Sequence, residues 1–567
     1  MDKNREKTTA FMRGLRQLAP AFMVMFTFCF MLFLYEPLLM YSTNKNEFWF
    51  DFGIMILPTL AIFAMFFFAG IAFITLFYCC VTKILGGGGK TGEKIYYCAV
   101  IAFFVLFLAT YIQGVFLTGS LPPLIGKEIE WDIYWKEDIL TVFLWMLLEA
   151  AAIGMTVRFG TKRMVGWAWK ISAAVVVMLV AGLLPQMIEN DAFASKNSLV
   201  VTKRHFNDIS TDKNFFILLV DAANADEFTN LLAENENYKE IFRDFTFYDN
   251  TASVYPCTRD SIPLILSGAV NRNEKAFEEY SSDAYNCSPF FEKLESENYS
   301  IGLYMEDPIW YGERCFNVVN DVNYVNESPY ESMNFYMYFR QQMKYILFKY
   351  LPYAYKQYAQ IEGMDYHRVL EQYHYDNEDV YKMICDTSTL EQVDHNVFQF
   401  IHLEGAHGPF KTDAELNPIE HGTYTQKMEA TVKVVDAYLR RLKENHVYDN
   451  SVIMIMADHG YYDVEHIISG EEYLERYHPI LLVKGLGEEH EFDTSSLPIS
   501  HLDIVDACLN LLDGQTGIEA FDFVDSDRKR MILWYEFLKE DHMVEYELEG
   551  NRFEREDFKK TGRVYDR

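Results

Sequence analysis

The chain has 567 residues, half of them hydrophobic, and a formal charge of −32 from 50 Lys/Arg against 82 Asp/Glu. At about 100–200 residues per domain there is ample chain for several cores, and disorder is excluded. The acidity excludes a nucleic-acid binder, whose affinity comes mainly from Lys/Arg neutralising phosphate. Nine cysteines without a CxxC pair exclude a disulfide scaffold and the usual zinc or dithiol motifs.

The charge is unevenly spread. Residues 1–200 hold 16 Lys/Arg and 14 Asp/Glu, so residues 201–567 hold 34 and 68, a balance of −34. The first part contains five long apolar stretches, at Pro20–Met40, Phe52–Cys80, Ile95–Leu117, Ile139–Val157 and Val165–Ile188. Each is close to the roughly 20 residues that cross a bilayer, and five in succession do not fit a signal peptide. The expectation is a multi-pass membrane anchor. A glycine run, Gly86 to Gly89 followed by Lys90, lacks both the spacing of a phosphate-binding loop and a preceding strand, and reads as a connecting loop.

Basic residues set the orientation. Lys3, Arg5, Lys7, Arg13 and Arg16 precede the first stretch; Lys83, Lys90 and Lys94 lie between the second and third; Arg158, Lys162 and Arg163 lie between the fourth and fifth. These segments are expected on the cytoplasmic side. The connections around Asn46 and from Thr118 to Asp138 then face outward, as does everything after about Glu189, so the acidic part is extracytoplasmic. Trp131, Tyr134 and Trp135 suit either the membrane interface or packing beneath a soluble domain. Two carboxylates fall inside the apolar stretches. Glu36, beside Pro37, is expected to reach the outer interface, and Glu149 to face the interior of the bundle, protonated or hydrogen-bonded.

From residue 213 onward short apolar runs alternate with helical patterns. Phe215–Val220, Val397–Ile401 and Ser451–Met456 suit buried parallel strands. Helical patterns span Asp226–Phe242, Pro289–Glu297, Met428–Glu444 and Ser500–Leu512. This is an α/β domain with a central, mostly parallel sheet. The division is 1–190 anchor, 191–212 juxtamembrane linker and 213–567 catalytic domain. In such sheets chemistry gathers beyond the carboxyl ends of strands. Asp221 follows the first run, His402-Leu-Glu-Gly-Ala-His407-Gly-Pro409 closes the second, and Asp458-His459-Gly460 follows the third. Asp and His offer the oxygen and nitrogen donors of a zinc or manganese site. Between them, Tyr255-Pro-Cys-Thr258-Arg259-Asp-Ser261-Ile-Pro263 opens a helical run with a hydroxyl at its start, where amides favour anions. Asp226 reads as a helix cap. The Tyr- and Phe-rich tract from Tyr330 to Tyr358 reads as core or membrane-facing surface.

In order and context these motifs resemble the sulfatase-like branch of the alkaline phosphatase superfamily, over Asn214 to Gly485. With the five-stretch anchor, the chain is similar to the membrane-anchored lipoteichoic acid synthases and lipid A phosphoethanolamine transferases. Thr258-Arg-Asp-Ser261 resembles the Thr-x-Asp-Ser of the synthases. His402 to Pro409 resembles the transferases' His-Thr-x-Gly-Ser-His-Gly-Pro, and Tyr477-His478-Pro479 with the run to Lys484 resembles the strand after the Asp-His pair. The resemblance implies one divalent cation, manganese or zinc with magnesium also compatible, held by Asp221, Thr258, Asp458 and His459. A second metal stays open. The chain departs from those families in having Asp221 where they usually have Glu. It departs from formylglycine sulfatases in having Tyr255 where they carry the converted Cys or Ser.

The implied activity is transfer of a phosphorus-containing head group, phosphoglycerol or phosphoethanolamine, from a phospholipid to a cell-surface glycan, lipid or polymer through a phosphothreonyl intermediate. Thr258 is the nucleophile. His407 and His466 bind phosphate or protonate the leaving oxygen, and Arg259, His407 and His478 are the substrate-binding candidates. Two other readings use the same fold: a membrane-bound phosphodiesterase or sulfatase-like hydrolase, and a non-enzymatic lipid sensor. The strong negative charge of the outer part makes a zwitterionic donor as suitable as an anionic one.

Overall fold

The computed structural model describes residues 2–45, 48, 50–85, 90–117, 129, 131–194, 203–305, 321–322, 333–359, 361, 369–370, 376–461, 474–535, 541–550 and 553–567. The glycine run at 86–89 lies outside these residues, as does His466. Contacts divide the chain into two units, Met1–Val200 with Asn326–Glu371, and Val201–Val325 with Gln372–Arg567.

The first unit is built on α1 (Asp2–Phe30), a π-helical turn at Met31–Tyr35, α2 (Glu36–Thr43), α3 (Phe52–Cys79), α4 (Lys90–Phe116), α5 (Trp135–Phe159) and α6 (Thr161–Glu189). Five segments are long and apolar enough to cross a membrane: Arg16–Thr43, Phe52–Thr82, Thr91–Phe116, Trp131–Phe159 and Thr161–Glu189. They match the five stretches read from sequence. Large apolar side chains such as Phe68, Phe73 and Val157 are 65 %, 67 % and 83 % exposed, a density that water would not tolerate but hydrocarbon does.

One segment from beyond residue 213 belongs to this unit. Asn334 caps a return helix, Phe335–Tyr350, by accepting from the Met337 amide at 3.1 Å. Its inner side carries Tyr338, Gln341, Gln342, Ile346, Phe348 and Tyr350. The Tyr338 hydroxyl meets Thr59 Oγ1 at 2.6 Å, and the Ala354 amide donates to Asp138 Oδ1 at 3.1 Å. Phe348 packs edge-on against Trp131, and Tyr353 stacks on Tyr134. Those two aromatics therefore serve as packing, while Trp135 is 58 % exposed.

Both carboxylates of the apolar stretches depart from expectation. Glu36 does not lie open at the end of its helix. It is 1 % exposed, with Oε1 accepting from Tyr345 at 2.8 Å and from Lys349, and Oε2 accepting from Tyr350 at 2.6 Å. A buried carboxylate is tolerable only when paired and hydrogen-bonded, and the return helix supplies all three partners. Glu149 does not face the bundle interior. The inner side of α5 carries Thr141, Leu148 and Ala152, and Glu149, about 100° further round the helix than Leu148, is exposed.

The strands of the second unit are, in chain order, β1 (Asp208–Ser210), β2 (Asn214–Val220), β3 (Thr246–Tyr248), β4 (Thr251–Ala252), β5 (Tyr299–Tyr304), β6 (Asp321–Val322), β7 (Glu391–Val393) and β8 (Asn396–Leu403). They continue as β9 (Ser451–Met456), β10 (Leu481–Lys484), β11 (Asp493–Ser495), β12 (Ile499–Ser500), β13 (Arg530–Trp534), β14 (His542–Leu548) and β15 (Phe558–Asp566). The main sheet has the order β11-β3-β10-β9-β2-β8-β5-β6. β2 lies parallel to both β8 and β9, and β10 is antiparallel to β9 and β3. Every residue of β2 and β9 is buried, which is why these strands read as unbroken apolar runs. Helices α7 (Ala225–Glu234), α8 (Thr258–Ser267), α9 (Asn377–Cys385), α10 (Tyr424–Glu444) and α11 (Ile504–Leu512) accompany them. The antiparallel sheet β13-β14-β15 was not foreseen from sequence.

Removing the acceptor at Glu36 leaves Lys349 and two tyrosine hydroxyls unpaired. Glu36→Ala is expected to destabilise the first unit by about 3 kcal/mol, read as a lower unfolding midpoint of the full chain in detergent, while Glu149→Ala leaves the midpoint unchanged. Equal effects would contradict this assignment.

Candidate functional site

Pairing of β2 with β9 sets the site. Leu219 is in register with Met456, and Asp221 and Asp458 stand two residues beyond that pair. Neighbouring strands lie about 5 Å apart, so both carboxylates reach one point at the strand ends. His459 follows directly. Ligating atoms of Asp221, Asp458 and His459 lie within 4.8 Å of one another, and all three residues are buried. His459 Nε2 is 3.3 Å from Asp458 Oδ2 and 3.8 Å from Asp221 Oδ1. Its Nδ1 lies 2.8 Å from the Gly460 carbonyl, which can only accept, so Nδ1 carries a proton and Nε2 is the nitrogen turned toward the carboxylates.

The third approach comes from α8. The loop from Ser253 opens into this helix with Thr258 as its first residue, so the side chain projects from the helix start. Thr258 Oγ1 is 3.4 Å from Asp221 Oδ2 and 3.5 Å from His459 Nε2. Four residues from three distant parts of the chain therefore meet at one point: Asp221, Thr258, Asp458 and His459.

The backbone around Asp221 is tightly specified. Ala222 adopts a left-handed conformation (φ 56°), uncommon for a residue with a side chain. Its amide donates to Asp458 Oδ1 at 3.2 Å, and its carbonyl accepts from the Tyr424 hydroxyl at 2.8 Å. The β8 loop closes over it: the Ala406 amide donates to the Asp221 carbonyl at 2.8 Å. Gly405 has φ 60°, and a Cβ there would lie 2.4 Å from the Asp221 amide nitrogen. The Asn377 side chain clamps Gly405 by donating to its carbonyl at 2.8 Å and accepting from its amide at 3.1 Å.

Three histidines surround Asp221. His402 Nε2 lies 3.1 Å from Asp221 Oδ2, and His407 and His459 act through space. Burial opposes ionisation of Asp221, but His407, His402 and His459 outweigh it and hold the carboxyl well below its usual range. Burial, and then the Asp221 charge, push the Asp458 carboxyl up. Two buried carboxylates this close and an oriented imidazole form a donor set suited to a divalent cation, and the buried Oδ2 of Asp458 accepts no hydrogen bond among the described residues.

The other candidates are distributed differently. His407 is half-buried, with Nδ1 at 2.6 Å from the Gly408 carbonyl, so Nε2 is its remaining functional atom. Arg259 lies over the Phe277 ring at 4.4 Å and lines a cavity of about 430 Å³ with Asn271 and Lys275. His478 is not part of the cluster: it stacks on Phe553, with Nε2 2.8 Å from the Asp249 carbonyl and Nδ1 3.2 Å from Asp226. Asp226 is not the cap of α7. Asn224 is, accepting from the amides of Asp226 and Glu227, and Asp226 lies in the first turn. Sequence reasoning assigned no role to His402, Gly405 or Asn377. His402 and Gly405 stood in a motif already singled out, whereas nothing in the sequence connects Asn377 to residue 405.

Residues 213–514 match the family model described as Sulfatase. No curated protein matches the chain. Solved structures of similar fold include a protein of the alkaline phosphatase superfamily from Vibrio parahaemolyticus, 12 % identical, covering 65 % of this chain and 85 % of that one with a TM-score of 0.41. They also include the lipoteichoic acid synthase LtaP from Listeria monocytogenes, 10 % identical, covering 59 % and 85 %, with a TM-score of 0.37. The C-terminal periplasmic domain of the phosphoethanolamine transferase EptC from Campylobacter jejuni is 14 % identical, covering 54 % and 91 %, with a TM-score of 0.33. The matched segment spans more than half of the sequence, and the chain belongs to the sulfatase family.

Proposed function

We propose that this is a multi-pass membrane enzyme whose extracytoplasmic unit transfers a phosphorus-containing head group from a phospholipid to a cell-surface glycan, lipid or polymer. The observation that carries the reading is a threonine hydroxyl at a helix start, 3.4 Å from Asp221 and 3.5 Å from His459, in a chain with five membrane-length helices. The sulfatase alternative that uses formylglycine is disfavoured by Tyr255. Its hydroxyl donates to the Asn271 carbonyl at 2.9 Å and accepts from the Asn271 amide at 2.7 Å, inside the core. Burial pushes the Tyr255 hydroxyl far above its usual range.

Asp221, Asp458 and His459, with the Thr258 hydroxyl, would hold one divalent cation, manganese or zinc. When bound, it supplies Lewis acidity that lowers the pKa of a coordinated hydroxyl and offsets charge on a phosphoryl oxygen. Thr258 Oγ1, made more acidic at such a site, releases its proton to water and bonds to phosphorus, while Asp221 stays ionised. The bond from phosphorus to the diacylglycerol oxygen breaks, and His407 Nε2 protonates that oxygen. In the second half-reaction the same nitrogen takes a proton from the acceptor hydroxyl, whose oxygen bonds to phosphorus as the bond to Thr258 Oγ1 breaks, and Thr258 regains its proton from water. His402 holds the Asp221 carboxylate in place, and the Asn377–Gly405 clamp fixes the loop that carries His407. Arg259 is the candidate contact for an anionic part of the substrate, and His466 a further acid.

In membranes containing a phospholipid labelled in its head group, the label is expected to appear on an acceptor. Thr258→Ala lowers that turnover by about 10⁴-fold, and a chelator abolishes it until manganese or zinc is restored. Label released only into solution would identify a phosphodiesterase instead, and turnover surviving Thr258→Ala would remove the proposed nucleophile. Gly405→Ala forces a side chain into a left-handed position against the Asp221 backbone. It is expected to cost about 2 kcal/mol of stability and to reduce turnover; turnover near wild type would show that the β8 loop does not set the site.

A further inference from the structure

The return segment has a composition unlike the unit it interrupts in sequence. Residues 333–359 contain Arg340, Lys344, Lys349 and Lys356 and no Asp or Glu, within a part of the chain whose balance is −34. They also contain ten aromatic residues. Lys349 and Lys356 are used inside the unit, on Glu36 and on the Phe348 and Lys349 carbonyls, while Arg340 is exposed. An exposed cation with aromatic residues on one amphipathic helix is the combination that lies in a membrane interface, with rings at the head-group level and the cation at the phosphates.

The depth of its contacts agrees. Glu36 is four residues from the outer end of the first apolar stretch, Thr59 seven from the outer start of the second, and Gly114, against which the Tyr350 ring packs, three from the outer end of the third. Asp138, bonded to Ala354, directly precedes the fourth. At 1.5 Å per residue these anchor points lie about 0–10 Å inside the outer hydrocarbon boundary, the depth at which interfacial helices settle. All four are at the ends that the distribution of Lys and Arg places outside.

The inner side of the helix is consumed by these contacts, but another stripe is not. Tyr336 and Leu347, 68 % and 39 % exposed, lie with the exposed Arg340 on one side of the helix, and beyond its end Tyr355 and Tyr358 are 57 % and 80 % exposed. We propose that residues 333–359 form a membrane-surface element: a basic, aromatic helix seated on the outer ends of the spanning helices, with its exposed stripe in the outer-leaflet head-group layer against lipid phosphates. The proposal rests on the reading that the five helices span the bilayer.

The test uses the full chain in nanodiscs of mixed phosphatidylethanolamine and phosphatidylglycerol. p-Benzoylphenylalanine is placed singly at Tyr336, Tyr358, Phe73 and Phe523, and photoadducts are identified by mass spectrometry. Phe73, 67 % exposed on α3, reports the spanning helices, and Phe523, 47 % exposed in the second unit, reports a surface away from them in sequence. Lipid adducts at Tyr336 and Tyr358 comparable with those at Phe73, and none at Phe523, are expected. Adducts at Tyr336 and Tyr358 only to peptides of residues 201–325 and 372–567, or to a second copy, would show that protein covers the stripe and overturn the proposal. So would the absence of lipid adducts there while Phe73 gives them. Failure at Phe73 as well would sink the spanning reading itself, and the proposal with it.

Discussion

Two carboxylates brought to one buried point by the pairing of β2 with β9 are the constraint around which the second unit is arranged. Asp221 and Asp458 stand at equivalent positions beyond adjacent parallel strands, so the register that packs the core also forces two like charges together. Such proximity in low dielectric is costly unless something compensates. The compensation comes from different directions: His402 within 3.1 Å of Asp221, the Ala222 amide on Asp458, and His459 with its Nε2 turned inward. The left-handed Ala222 and the glycine at 405 follow from the same demand, because backbone must approach the carboxylates closely on two sides. Thr258 brings a hydroxyl into this arrangement, 3.4 Å from Asp221 and 3.5 Å from His459.

The first unit solves a related problem by different means. A buried carboxylate, Glu36, sits among apolar helices, and its partners come from a helix about three hundred residues later in the chain. That ion pair and its two tyrosines tie residues 333–359 to the apolar helices, although the surrounding sequence belongs to the second unit. Charge is thus sorted by place: residues 1–200 are nearly neutral, the second unit strongly acidic, and the return segment basic. A net charge of −32 describes none of the three.

How much of this was legible in the sequence depended on the range of the interaction. β2, β8 and β9 were legible because strands buried on both faces read as continuous apolar runs, and the residues just after them pointed to the site. The five membrane-length helices were legible from length and composition alone. Glu36 and Glu149 were misjudged because the lining of a helix bundle depends on which helices meet. Glu36 looked like an interfacial residue until Lys349, Tyr345 and Tyr350 came to it, and Glu149 looked like an interior one until α5 turned it outward. The Asn377 clamp and the β13-β14-β15 sheet left no local pattern. The capping role assigned to Asp226 belongs to Asn224 two residues earlier, an offset that composition near a helix start does not resolve.

The central claim is that Thr258 becomes covalently linked to the transferred head group. Incubation of the purified full chain with a phospholipid labelled in its head-group phosphorus, without acceptor, followed by quenching, digestion and peptide mapping, tests it most directly. The account predicts one labelled peptide with the phosphodiester on Thr258. Label on another residue, such as Ser261 or Cys257, or turnover with no covalent adduct at any time, would contradict it.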